Sequence, residues 1–397
     1  MTAKIYYAEI GEGMSRIEKL NRLNELGDID GVDWQEIIPN EHGDWINQRG
    51  DEFFELKPIE DFFKIRSSGI GTSRDAWVWN FSRGKLIENM RRTIDFYNSQ
   101  LGKENLDRDP KKISWSDTLE NRCLKNIRIE YDESKIFEGL YRPFCRELIY
   151  FEKNMIHRMY QMPKLFPNGN DKNILISLPG ATSKKDFMPF ITNRISDLNS
   201  LDAGTRCFPR YYFDGNQMID AIDSDDLFYY IYGFLHLPEY RERFANDLKK
   251  SLPRIKIIEG SDFEKISRIG RALADLHLNY ETQSPPDEII LRGIESGNFR
   301  VKKIRFDKKN PTRIIFNESI WIENVPLEVN DYRVNGRSPV EWIIERYQIK
   351  VDKASGIVND PNDWSSNPRY ILDLLLSAMT VSLETQRLIS ELPTINF

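Results

Sequence analysis

The sequence predicts an α+β fold, with mixed and antiparallel sheets, several amphipathic helices and two lobes. Three observations predict it. Residues 34–81 carry many aromatics in short strand-like runs. Phe299–Phe306, Arg313–Phe316 and Ser319–Val325 read as an antiparallel meander. From Ser224 onward the apolar residues recur at helical spacing. The chain's 397 residues, 40% of them hydrophobic, suffice for a real core and two to three domains at roughly 150 residues each.

Residues 4–10 read as a strand. Ser15-Arg16-Ile17-Glu18 is a capping box opening a helix to about Leu26, and the acidic stretch from Gly27 to Asp33 is a connector. Ser82 caps a helix to about Leu101, with Leu86, Met90, Ile94 and Tyr97 on one face. Ile127–Tyr131 and Leu148–Phe151 read as strands, Pro163–Asp171 as a loop and Asn173–Leu178 as a buried strand. Pro238 separates a helix over Asp225–His236 from one over Glu239–Ser251. Asp262–Tyr280 carries Ile266, Ile269, Leu273 and Leu276 at helical spacing. Ser338-Pro339-Val340-Glu341 combines an N-cap, an N1 proline and a capping-box acid. Pro368–Leu392 closes the chain as a long helix, so Asn367-Pro368 reads as its N-cap and first turn. The expected organisation is a trailing strand and helix with linker over 1–30, an N-terminal lobe over 31–175 and a C-terminal lobe over 176–397.

Charge is unevenly spread. The net charge is −6, which argues against indiscriminate coating of nucleic acid but leaves room for a local basic face. Residues 1–60 hold 14 acidic against 6 basic side chains. Residues 64–92 hold 7 basic against 2 acidic, and residues 299–315 hold 7 against 1. No apolar run approaches the ~18 residues of a membrane helix. The N-terminus lacks signal-peptide layout. Three scattered cysteines, Cys123, Cys145 and Cys207, make no disulfide framework, so a reduced, cytoplasmic protein is expected.

Catalytic signatures are missing. There is no Walker phosphate loop, no His-Glu-x-x-His, no paired Cys-x-x-Cys and no Gly-x-Ser-x-Gly elbow. His42, His157, His236 and His277 are scattered and read as structural. One enzyme alternative is a metal-dependent nuclease on Glu133-Ser134-Lys135 with Asp117 or Asp132, since an acid-x-lysine pair can hold a metal and orient water. Asn367-Pro368-Arg369-Tyr370 is similar to the Asn-Pro-Pro-Tyr loop of adenine methyltransferases, but Arg369 replaces the second proline.

The most informative stretch runs from Arg66 to Asn80. Arg66, Ser67, Ser68, Thr72 and Arg74 place two guanidinium groups and several hydroxyls around Gly69 and Gly71, before an alternating apolar strand over Ala76–Asn80. Amides of a glycine-rich turn can face a phosphate, and arginine can fork onto a phosphate or guanine. Arg300, Lys302, Lys303, Arg305, Lys308 and Lys309 form a second candidate DNA-binding set, and Lys184, Lys185 and Arg194 a third. The aromatic-rich helices Leu227–Leu235 and Val340–Tyr347 read as core.

Gly69-Ile70-x-Thr72-x-Arg74-Asp75-x-Trp77 resembles the opening motif of target-recognition domains that follow a methyltransferase core. Tyr141-Arg142-Pro143-Phe144, Cys207-Phe208-Pro209, Asp226–His236, Tyr240–Phe244 with Asp247–Ile255, and Val340–Gln348 running into Lys353–Asn362 narrow it. Together these resemble the C-terminal specificity region of type ISP restriction–modification enzymes, over nearly the whole chain. Such enzymes join a nuclease, a translocating ATPase, a helical coupler and an adenine methyltransferase to this region. The resemblance implies a target-recognition-domain fold and a sequence-specific double-stranded DNA module without chemistry of its own. S-adenosylmethionine, ATP and Mg would belong to upstream domains only, and the partners would be DNA, the methyltransferase and the coupler, with no membrane. It also implies that residues up to about 26 match the tail of the methyltransferase, so that the chain is a cloned fragment or a split gene product. The acidic first 60 residues would face that side. The remaining alternative is a protein-interaction scaffold in a phage-defence complex. Related motifs often carry glycine after the threonine; here it is Ser73, and a backbone needing positive φ there is strained by a side chain.

Overall fold

The computed structural model describes residues 3–11 and 14–397. It divides into two compact units, the residues up to Glu55 and Leu56–Phe397. In the first unit, Ile5–Tyr7 pairs antiparallel with Gln35–Ile37. The expected capping box is present: Ser15 Oγ accepts from the Glu18 amide at 3.4 Å, and Glu18 Oε2 accepts from the Ser15 amide at 2.6 Å. It opens the helix Arg16–Leu26, none of whose residues is buried.

The second unit is a mixed α+β body, as predicted. A first sheet has the order Ile195–Ser196, Ile136–Arg142, Cys145–Tyr150, Trp79–Asn80, with one parallel edge. A second, antiparallel sheet has the order Ser67–Ser68, Arg206–Pro209, Leu175–Leu178, Phe190–Thr192. A third, also antiparallel, has the order Ile290–Arg292, Trp321–Glu323, Ile314–Ile315, Arg305–Phe306.

Helices fill in around the sheets. Arg83–Ser99 buries the predicted face, Leu86, Met90, Ile94 and Tyr97, and Ser82 caps it. Asp225–Phe234 packs on Ser261–Leu278 so closely that a Cβ on Gly270 would stand 1.9 Å from the Tyr229 carbonyl oxygen. That approach requires a residue without a side chain. His277 ties this pair to the last helix, Tyr370–Ser390: its Nδ1 meets the Tyr232 hydroxyl at 2.6 Å and its Nε2 the Thr385 hydroxyl at 2.8 Å. Burial pushes His277 well below its ordinary range and His236 down to about 3, so both rings are neutral pieces of the core. Tyr230, Tyr232, Trp342 and Tyr347 are buried too, which makes the aromatic helices core elements.

Several local expectations are corrected. Ile127–Tyr131 is not a strand, because the Asn98 side chain takes both backbone groups of Ile129, at 2.7 and 3.0 Å. Ala76–Asn80 opens with a helical turn, Asp75–Val78, and only Trp79–Asn80 joins a sheet. Pro163 starts a turn of helix over Met162–Leu165 inside the expected loop. Glu239–Ser251 splits into Pro238–Arg243 and Ala245–Leu248. In the meander only Arg305–Phe306 of the first segment joins the ladder. Asn367 does not cap the last helix directly: its Oδ1 accepts from the Arg369 amide at 3.0 Å, and the helix begins at Tyr370. Leu175–Leu178 is one strand of the second sheet, and the division into compact units falls after Glu55.

Candidate nucleic-acid interface

The ribbon Asn298–Arg305 is pinned by carboxamides. Asn362 Oδ1 accepts from the Val301 amide and Asn362 Nδ2 donates to the Val301 carbonyl, both at 2.8 Å. Asn317 Nδ2 donates to the Asn298 and Arg300 carbonyls at 2.8 and 3.1 Å. These side chains supply what strand partners would otherwise supply, so residues 298–304 are fixed without being a strand. Val301 and Ile304 point into the core, and Lys302, Lys303 and Arg305 stand in solvent. Arg300 pairs with Asp360, and Lys302 lies 3.6 Å from Glu318. Among the described residues, Lys303, Arg305, Lys308 and Lys309 have no acidic partner. Arg300, Lys302, Lys303 and Arg305 together line a depression of about 310 Å³.

The stretch around Arg66 divides in two. Arg66, Ser67 and Ser68 line a larger depression of about 500 Å³ with Tyr160, Gln161 and Arg206. Arg66 is half exposed and pairs with Glu60. Ser68 Oγ accepts from the Arg206 guanidinium, and Ser67 Oγ accepts from the Gln161 amide at 3.2 Å. The two depressions share no lining residue.

Thr72 and Arg74 go elsewhere, against expectation. Arg74 is 3% exposed. Its guanidinium donates to the carbonyls of Ser114 at 3.1 Å, Thr72 at 3.2 Å and Met155, and to the Ser116 hydroxyl at 2.7 Å. Burial, with the nearby Arg122 charge, brings it down to about 10. Four of its five N–H donors are spent on these partners in a buried site, so it acts as a structural pin. Thr72 donates to the Asp75 carboxylate and accepts from the Arg74 amide at 3.2 Å, which starts the helical turn. Gly69 is needed for proximity: a Cβ there would stand 2.3 Å from the Asp197 carbonyl oxygen. Ser73 does adopt a left-handed backbone, φ 57°.

The third set is dispersed. Arg194 pairs with Glu138 at 3.1 Å. Lys184 and Lys185 are exposed on a loop whose backbone is held by Asp202 Oδ2, 2.8 Å from the Lys184 amide. The nuclease alternative gains nothing: Asp132 accepts from the Ser134 amide and hydroxyl, Glu133 pairs with Arg83 at 3.2 Å, and no ligand group closes around them among the described residues. Reading the sequence missed Tyr160, Gln161 and Arg206, which reach the depression only through tertiary pairing. The one local signal was Arg206 directly before the Cys207-Phe208-Pro209 strand.

The family profile for the Type ISP C-terminal specificity domain matches residues 61–374. Among solved structures, a nuclease-deletion mutant of the Type ISP restriction–modification enzyme LlaGI, in complex with a DNA substrate mimic, is 40% identical with a TM-score of 0.94. The match covers 98% of this chain and 39% of that one. The ATP-dependent Type ISP enzyme LlaBIII bound to DNA is 38% identical, TM-score 0.94, over 99% of this chain and 28% of that one. DrdV in a DNA complex is 25% identical, TM-score 0.87, over 99% of this chain and 44% of that one. This chain thus spans less than half the length of each. No curated protein matches it. The chain belongs to the family of Type ISP C-terminal specificity domains.

Proposed function

We propose that this chain is the sequence-specific double-stranded DNA recognition module of a Type ISP restriction–modification enzyme, with no chemistry of its own. One observation carries this reading: its fold is shared, at a TM-score of 0.94, with enzymes whose structures contain DNA. The carboxamide-pinned ribbon, with four cations lacking acidic partners from Lys303 to Lys309, supports it. Lysine and arginine hold phosphates and set register, while base edges are read elsewhere. Arg66, Ser67 and Ser68 contribute a second contact around their depression. Lys184, Lys185 and Arg194 contribute peripheral phosphate contacts.

The partner domains are a methyltransferase and a helical coupler. The helix Arg16–Leu26 leaves Ile17, Leu20 and Leu23 exposed, and an apolar stripe of this kind fits a larger domain that covers it. The site of action is the cytoplasm, where buried free thiols at Cys123, Cys145 and Cys207 stay reduced. No helix among the described residues is long and apolar enough to cross a membrane.

The test is a salt titration of duplex binding by the chain and by a variant with alanine at Lys302, Lys303, Arg305 and Lys308. The slope of log affinity against log salt should flatten by about 0.9 for each phosphate contact removed. An unchanged slope removes the ribbon from the interface. Absence of duplex binding at low salt, with tight binding to a methyltransferase partner, would establish the scaffold reading instead.

A further inference from the structure

The depression holding Arg66, Ser67 and Ser68 also holds an element with the chemistry of a base reader. Tyr160 has φ 49° and is 46% exposed. A left-handed backbone is a genuine outlier for a bulky aromatic residue, at a cost of roughly 1–2 kcal/mol. It persists because the chain is anchored on both sides. Arg158 exchanges backbone hydrogen bonds with Gly71 at 2.9 and 2.8 Å, and the Gln161 amide donates to Ser67 Oγ at 3.2 Å. Met162, next in sequence, is fully buried. Between Arg158 and the buried Met162, Tyr160 and Gln161 are both exposed.

The side chains of this pair are unspent. Among the described residues, neither the Gln161 carboxamide nor the Tyr160 hydroxyl has a hydrogen-bond partner. Arg206 faces them from the rigid second sheet, oriented by the Ser68 hydroxyl. A phosphate grip calls for cations and amide donors. A carboxamide pairs a donor with an acceptor, the pattern that reads the N6/N7 edge of adenine, and an arginine fork reads O6/N7 of guanine. Strain held at an exposed, anchored position is a recognised mark of a functional segment.

We propose that Tyr160, Gln161 and Arg206 form a direct readout element for DNA base edges, in which Gln161 specifies an adenine, Arg206 a nearby guanine, and Tyr160 packs against the base that Gln161 contacts. The inference rests on the DNA-recognition reading and adds the residues that set specificity.

Selection of binding sites from random duplexes tests it, with the full 397-residue chain and the variants Gln161→Ala, Arg206→Ala and Tyr160→Gly. Wild type should return a motif containing adenine and guanine. Gln161→Ala should lose discrimination at the adenine, and Arg206→Ala at the guanine, by about tenfold or more each. Affinity for unrelated duplex and its salt slope should stay unchanged for Gln161→Ala. Tyr160→Gly should raise thermal stability by relieving the backbone while weakening binding to the selected site. Recovery of an unaltered motif by both Gln161→Ala and Arg206→Ala, both folded, overturns the inference and leaves the DNA reading intact. Failure of wild type to bind or select any duplex overturns both.

Discussion

Asn359 Nδ2 donates to Glu147 Oε2 at 2.9 Å, while Asn359 Oδ1 accepts from the Phe81 amide at 2.8 Å. One side chain thus joins the hairpin of Lys350–Val351 and Val358–Asn359 to the first sheet. The carboxylate it holds is buried, and among the described residues its one other hydrogen-bond partner is the Cys145 thiol, at 3.9 Å. Burial pushes Glu147 up to about 7, against the Asn359 bond and the charges of Arg142, Arg346 and Lys350, which lower it.

A pH dependence follows. The folded state binds this proton more tightly than the unfolded chain, whose glutamate titrates near 4.5. The contribution is therefore complete below about 4.5 and is lost as pH rises through about 7, on the order of 3 kcal/mol in all. Glu147→Gln should flatten the fall of Tm between pH 5 and 8, an expected range set by these values. Thermal melts across that range check it; parallel profiles for both proteins would refute the assignment.

Arg74→Ala should unfold the protein more readily without altering how it holds DNA. It strands the carbonyls of Thr72, Ser114 and Met155 in a buried site, at a cost of about 3 kcal/mol. Arg74→Lys should rescue little, since one ammonium lacks the fork geometry. Denaturant midpoints measure the loss. A normal midpoint with a reduced salt slope of binding would instead make Arg74 a DNA contact.

Ser73→Gly should stabilise the chain. The position already has φ 57°, so glycine removes the left-handed penalty of about 1–2 kcal/mol while adding its own unfolded-chain entropy of about 0.5–1 kcal/mol. The expected gain is roughly 0.5–1 kcal/mol at an unchanged m-value in denaturant. A loss of stability would mean that the Ser73 hydroxyl does something the backbone geometry does not reveal.

Gly270→Ala should destabilise by about 1–3 kcal/mol, because the new methyl would meet the Tyr229 carbonyl oxygen at 1.9 Å. A double substitution that also shortens a neighbour cannot relieve this, since the obstacle is backbone. Equilibrium unfolding of Gly270→Ala gives the number, and a neutral result would show that the two helices separate readily.

Local chemistry was legible wherever a few adjacent residues decide the outcome. The capping boxes Ser15/Glu18 and Ser338/Glu341 and the buried face from Leu86 to Tyr97 are set by spacing alone, and the structure has them where spacing puts them. The strain at Ser73 was legible too, from glycine's use at that place in related motifs. Distant partners were not legible. Arg74 looks like a ligand-binding arginine until Met155, 81 residues on, offers its carbonyl. Ile129 looks like strand until Asn98 takes its backbone groups. Tyr160 and Gln161 carry no local mark at all; their exposure comes from anchors at Gly71 and Ser67, almost a hundred residues earlier.

Arg305–Phe306 is the outermost strand of the third sheet, so among the described residues one row of its peptide groups has no neighbouring strand. An unguarded row of that kind invites another chain to add on, and like charges flanking it discourage the approach. Lys302, Lys303, Lys308 and Lys309 bracket this strand. Neutralising them all should therefore lower solubility as well as affinity, with the loss growing steeply with protein concentration. The same lysines that would welcome a polyanion would then also oppose edge-to-edge pairing of two copies, and light scattering against protein concentration reads that out.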